Sequence, residues 1–121
     1  MGSSRKKPPP TVEASLRRLE DRHRAVLAEV ATLGLMLRGS IARRLTRCGN
    51  PGCRCHADPP MLHGPYYIWT RKVAGTTVTA QLKPEDAAFC QAWNRNMRQL
   101  DRAVRRLQAI GLRAATLLRG R

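Results

Sequence analysis

Residues 66–82, YYIWTRKVAGTTVTAQL, decide the fold. Tyr66 to Val73 and Thr76 to Leu82 are rich in aromatic and β-branched residues with a period of two. Between them Ala74-Gly75 is a two-residue hairpin signal, weaker than Asn-Gly. With that turn, Tyr67, Trp69, Val78, Ala80 and Leu82 share one face, expected to pack on helices, while Tyr66, Ile68, Thr70, Lys72, Thr77 and Thr79 share the other. An isolated two-stranded hairpin is marginal in water. Ser40 to Arg47 is therefore expected either to add a third strand or to extend the helix before it.

The flanking segments change to a helical period. Upstream, Val12, Leu16, Leu19, His23, Val26, Val30, Leu33 and Leu37 alternate spacings of four and three, a heptad seam that loses phase at Gly39-Ser40. His23 on that seam reads as a partly buried polar spacer. Downstream, Pro84-Glu85-Asp86 is a helix start, with proline at the first helical position and acids facing the positive end of the dipole. The seam that follows is Cys90, Trp93, Met97, Leu100, Val104, Leu107, Gly111, Ala114 and Leu118. The expectation is an α+β fold in which two long heptad-patterned helices, paired as an antiparallel hairpin or across a dimer, enclose a small β-hairpin or three-stranded sheet, which three cysteines and a histidine between residues 48 and 63 are expected to make zinc-bearing. Residues 1–11 read as a flexible basic arm around three prolines. Residues 12–121 read as a single domain made of a helix over 12–38, a Cys/His loop and β element over 40–83, and a helix over 84–119.

The chain has 121 residues and a formal charge of +15, carried by 23 Lys and Arg against 8 Asp and Glu. By segment the charge is +3 over 1–11, +1 over 12–39, +6 over 40–83 and +5 over 84–121, so the excess sits in the middle and the C-terminal third. Nineteen of the basic residues are Arg, whose planar fork suits phosphates and guanine edges, and a polyanion partner is favoured over a merely solvated surface. No apolar run approaches the ~20 residues of a membrane span and no signal-peptide pattern is present, which points to the cytoplasm and to no membrane partner.

The most specific chemical signal is Cys48-Gly49-Asn50-Pro51-Gly52-Cys53-Arg54-Cys55-His56, followed by His63. Gly49, Pro51 and Gly52 make a turn that brings Cys48 near Cys53, and Cys53 and Cys55, two apart in an extended segment, point the same way. Cys48, Cys53, Cys55 and His63 form a C-x4-C-x-C-x7-H set suited to tetrahedral structural Zn²⁺. An iron–sulfur or other centre and unligated or redox-active thiols are the alternatives. His56 competes with His63 for the fourth position but directly follows Cys55, which turns its side chain away. Cys90, on the second seam, reads as core packing.

Arg43, Arg44, Arg47 and Arg54 surround the cluster in numbers beyond what zinc-bound thiolates need, so some are expected to meet a polyanion. Tyr66, Arg71 and Lys72 follow as candidate base and phosphate contacts. Arg95, Arg98, Arg102 and Arg105 form a basic stripe on the second helix.

Leu37-Arg38-Gly39-Ser40, Arg47-Cys48-Gly49-Asn50-Pro51-Gly52-Cys53-Arg54-Cys55 and His63-Gly64-Pro65-Tyr66-Tyr67 together resemble an uncharacterised family of small bacterial proteins with the motifs RGS, RCGKPxCRC and HGPYY. The resemblance implies a mobile-element setting, beside transposase or integrase genes, and no mechanism. Asn50 stands for the usual lysine and Ala74 for a common asparagine. Two functions compete: a zinc-stabilised nucleic-acid-binding accessory protein that assists a recombinase or transposase, and a coiled-coil adaptor that binds an acidic protein. An enzyme is not expected, because no GxSxG or P-loop motif exists and the acids do not converge as a two-metal site requires.

Overall fold

The computed structural model describes residues 9–121. Most of the expected basic arm, residues 1–8, lies outside them. In chain order the elements are α1 (Val12–Val30), β1 (Ser40–Thr46), a 3-10 turn (Arg54–His56), β2 (His63–Val73), β3 (Thr76–Leu82) and α2 (Pro84–Arg119). They fall into two units: Gly34–Arg98, and Met1–Leu33 together with Gln99–Arg121.

The first unit holds a three-stranded antiparallel sheet in the order β1-β2-β3. Ala74 and Gly75 both have positive φ, 50° and 80°, as a primed turn requires, and Val73 pairs with Thr76 across it. Trp69 then faces Ala80 and Tyr67 faces Leu82, the register that the alternation requires. Ser40–Thr46 is a strand rather than a helical extension, with Ile41 opposite Trp69 and Arg44 opposite Tyr66. Between the Arg44–Tyr66 and Thr46–His63 pairs, β2 carries one extra residue. Gly64 sits there at φ 121°, where a Cβ would lie 2.8 Å from the Arg44 carbonyl oxygen.

The stretch between α1 and β1 is strapped to the first part of α2. The Asn94 side-chain amide, only 7% exposed, donates to the carbonyls of Leu37 (3.0 Å) and Gly39 (2.7 Å). Asn96 donates to the Leu35 carbonyl at 2.8 Å, and the Leu37 N–H donates to the Trp93 carbonyl at 3.1 Å. Gly39 has φ 106°, and a Cβ there would collide with the Thr70 carbonyl and the Trp69 indole. That indole donates to the Arg38 carbonyl at 2.8 Å.

The second unit pairs α1 with the later part of α2. Thr11 caps α1 by accepting from the Ala14 N–H. Leu19 and Val26, one heptad apart, are buried with Ala103 of α2. Arg106 donates to Glu29, which fixes an antiparallel sense together with the hollows that Arg22 and Ile110, and farther along Ser15 and Leu117, line jointly.

The structure corrects the expected architecture. It is α+β, but the two helices are not both long and do not flank a hairpin: α1 has 19 residues, ends at Val30 rather than 38, and a three-stranded sheet follows it in the chain. Thr32 stops the helix by turning its hydroxyl and its N–H onto the Glu29 carbonyl, while the Leu33 N–H takes the Val30 carbonyl in a tighter turn. Leu33 and Leu37 keep the heptad spacing only because the non-helical strap also half-buries them. His23 is exposed, not a seam spacer. On α2 the stripe beyond Leu100 runs through buried Ala103 and half-buried Leu107, Ile110, Ala114 and Leu117, so Val104, Gly111 and Leu118 of the expected seam face outward.

Candidate metal centre

The long β1–β2 connection carries the cysteines. Asn50 organises its first turn: its side-chain oxygen accepts from the Gly52 N–H at 3.0 Å and its carbonyl from the Cys53 N–H at 3.1 Å. The turn returns the chain so that Cys53 precedes the 3-10 segment Arg54–His56, closed by the His56 N–H to the Cys53 carbonyl. Cys53 is extended, but Cys55 lies on that tight turn rather than in the extended run expected from the sequence. His63 begins β2 opposite Thr46, and the two strand ends thus deliver Cys48 and His63 to the same place.

Cys48, Cys53, Cys55 and His63 offer four ligand atoms that all lie within 4.8 Å of one another, a group that can hold a metal ion. The Cys48 and Cys55 sulfurs are 3.6 Å apart, and the Cys53 sulfur is 3.2 Å from Nε2 of His63. Zinc bond lengths put tetrahedral edges at about 3.8 Å for S···S and about 3.6 Å for S···N. All four cysteines are free thiols, and Cys55 is fully buried. The Cys55 N–H, then the Cys55 and Cys48 thiols, hold the Cys53 thiol down to about 6. Burial pushes the Cys55 thiol up. The Cys48 N–H donates to the Cys55 sulfur at 3.3 Å. His56 is turned away: its Nε2–H donates to the Cys48 carbonyl at 2.7 Å, which braces the loop from outside the donor set. Cys90 stands apart on α2.

The expected nucleic-acid residues are divided between the units. Arg43, Arg44, Arg47, Arg54, Tyr66, Arg71, Lys72, Arg95 and Arg98 belong to the sheet-bearing unit, and Arg102 and Arg105 to the helical one. Arg43, Arg44, Arg47 and Arg54 are exposed, as are all four arginines of the α2 stripe. Arg71, half-buried, lies over the Trp69 ring at 3.9 Å, and Lys72, exposed, donates to the Thr77 hydroxyl. Arg44 and Tyr66, paired in register, open with Ile68, Thr70, Thr79 and Gln81 onto a shallow groove of about 370 Å³. Asn94 and Asn96 were not singled out from sequence. Two amide residues two apart, on or beside an apolar helical stripe, are the signal that would have marked them.

A Cys3His loop that can hold a metal ion, set between two paired strand ends, is the class that this geometry defines. Residues 16–91 match the family described as "Domain of unknown function (DUF6788)", and the chain belongs to that family. The match runs from α1 to the early turns of α2 and encloses the whole cluster. No curated protein and no solved structure matches the chain. Among the described residues no helix is long and apolar enough to cross a membrane.

Proposed function

We propose that this protein is a zinc-stabilised, non-enzymatic nucleic-acid-binding accessory protein of the cytoplasm, one that works beside a recombinase or transposase of a mobile element. Zinc is the metal that three sulfurs and one imidazole nitrogen select over harder-ligand cations. Its part is structural: it pins the β1–β2 loop so that Arg47 and Arg54 are presented without a large loss of chain entropy on binding.

The observation that carries the reading is the groove on the open sheet face. Arg44 stands directly opposite Tyr66 there, a cation for phosphate beside a ring for stacking, with Thr70, Thr79 and Gln81 able to reach base edges. Stacking on an aromatic side chain is worth about 1–3 kcal/mol per base and needs an unpaired base, which makes single strands the better ligand. Arg43, Arg47, Arg54, Arg95, Arg98, Arg102 and Arg105 supply diffuse attraction, whereas Arg71 is left to the packing of Trp69.

Fluorescence anisotropy with single-stranded and duplex DNA and RNA, over a salt series, tests this. Single strands should bind tighter than duplexes, with a log–log salt slope of about 0.7 per phosphate neutralised. Tyr66→Ala should weaken binding with the slope unchanged, Tyr66→Phe should preserve it, and Arg44→Ala should weaken it and flatten the slope. Absence of binding to every oligonucleotide at low salt would overturn the proposal.

A further inference from the structure

We propose that the trough between α1 and the later part of α2 docks an acidic amphipathic helix of a partner protein. Two adjoining hollows of about 330 and 270 Å³ run along one side of the helix pair and share Leu19, Arg22 and Arg113. Leu19, Ile110 and Leu117 make an apolar floor, and Arg18, Arg22 and Arg113 rise along it from both helices. Leu19 is buried while Ile110 and Leu117 are half-buried, so the floor is the open flank of the unit's own core. A pair of helices covers one apolar stripe on each and leaves its flank to a third.

Charge decides the occupant. Among the described residues, none that lines either hollow is acidic; Glu29 lies beyond their end and is engaged by Arg106. Arg18 and Arg22 on α1 and Arg113 on α2 repel one another across the trough, and an anionic rim on the incoming element relieves that repulsion. A nucleic-acid strand would satisfy the arginines but set phosphates against Leu19, Ile110 and Leu117. A uniformly apolar helix would satisfy the floor and leave the arginines desolvated without partners. A helix with leucine-type side chains on one stripe and carboxylates flanking it meets both demands, the helix-in-groove mode of recognition. A site of this kind gives an accessory protein a handle separate from its sheet face.

The test uses the full chain and a fluorescein-labelled peptide of about three heptads, with Leu on the seam and Glu beside it, against a scrambled peptide of equal composition. The ordered peptide should bind about tenfold or more tighter than the scrambled one, because only it presents stripe and charge together. Arg22→Ala with Arg113→Ala should weaken binding about tenfold, whereas Arg17→Ala with Arg119→Ala, the same charge removed from exposed positions of the same helices, should change it by less than about twofold. Circular dichroism checks that both double variants keep the parent's helix content. Equal affinity for the two peptides, or equal losses from the two double variants, would reduce the attraction to net charge and overturn the proposal. So would light scattering that shows the trough occupied by a second copy, with the Arg22/Arg113 variant altering the oligomer. Oligonucleotide binding by the Arg22/Arg113 variant reports on the sheet face separately.

Discussion

Asn94→Ala should loosen the sheet-bearing unit more than any other single polar change in it. The Asn94 amide makes two hydrogen bonds, to the carbonyls of Leu37 and Gly39, from a side chain that is almost wholly buried. Each such bond contributes about 0.5–1.5 kcal/mol net, so their joint removal costs about 1–3 kcal/mol, and carbonyls left without a donor add to it. Alanine returns roughly 0.6 kcal/mol through its higher helix propensity, which leaves a net loss of about 2 kcal/mol. Asn96→Ala is the internal control. It forfeits one bond to the Leu35 carbonyl at a more exposed position, and the propensity gain cancels most of that. Both tryptophans, Trp69 and Trp93, lie in this unit and touch the strap, so urea unfolding followed by their fluorescence reports on it directly. With a slope of about 1 kcal/mol per molar urea, the Asn94 variant should unfold about 2 M earlier than the parent and the Asn96 variant within about 0.5 M. Equal midpoints for the two variants would show that the strap is not held by the buried amide.

Cys53→Ala should abolish stoichiometric zinc, whereas Cys90→Ala and His56→Ala should retain it, as metal analysis of the purified variants would show, because only the first removes a donor from the cluster. Ala74→Asn should raise the urea midpoint by about 0.5–1 kcal/mol equivalent, since alanine is strained at φ 50° and asparagine is at ease there; an unchanged or lower midpoint would count against the primed turn. Glu29 has its carboxyl lowered by the Arg106 hydrogen bond and charge, so the pair favours folding above the unfolded carboxylate value and loses that contribution as pH falls through the folded one. Both side chains are more than half exposed, so the difference in acid sensitivity between parent and Arg106→Ala should be small and should vanish in high salt.

The hairpin and its faces were legible because period two survives every residue from Tyr66 to Leu82 and the turn admits one register. The convergence of Cys48, Cys53, Cys55 and His63 was legible because three cysteines within eight residues leave few ways to fold, and His56 is too close to Cys55 to turn inward. The end of α1 was not legible. Leu33 and Leu37 fall on the helical period, and a non-helical strap that half-buries alternate leucines gives the same spacing over so short a stretch. What cuts the helix is the Thr32 hydroxyl on the Glu29 carbonyl, a local competition that spacing does not encode. On α2, Val104 and Ala103 both continue a plausible stripe, and only packing against α1 selects the smaller side chain. The role of Gly39 was hidden for a different reason, since its φ answers to Thr70 and Trp69 some thirty residues on.

The placement of the cluster between paired strand ends bears on how the chain reaches this structure. Joining Thr46 to His63 closes a connection of residues 47–62, and the search for that pairing costs about 2–3 kcal/mol of loop-closure entropy before any sheet contact repays it. An ion captured first by Cys53 and Cys55, and then by Cys48 and His63, would shorten the effective loop from a long excursion to a few residues on either side of the metal. Metal supply would then set the rate of strand pairing as well as the final stability, with refolding of the sheet slow in chelator and accelerated by zinc added before denaturant dilution.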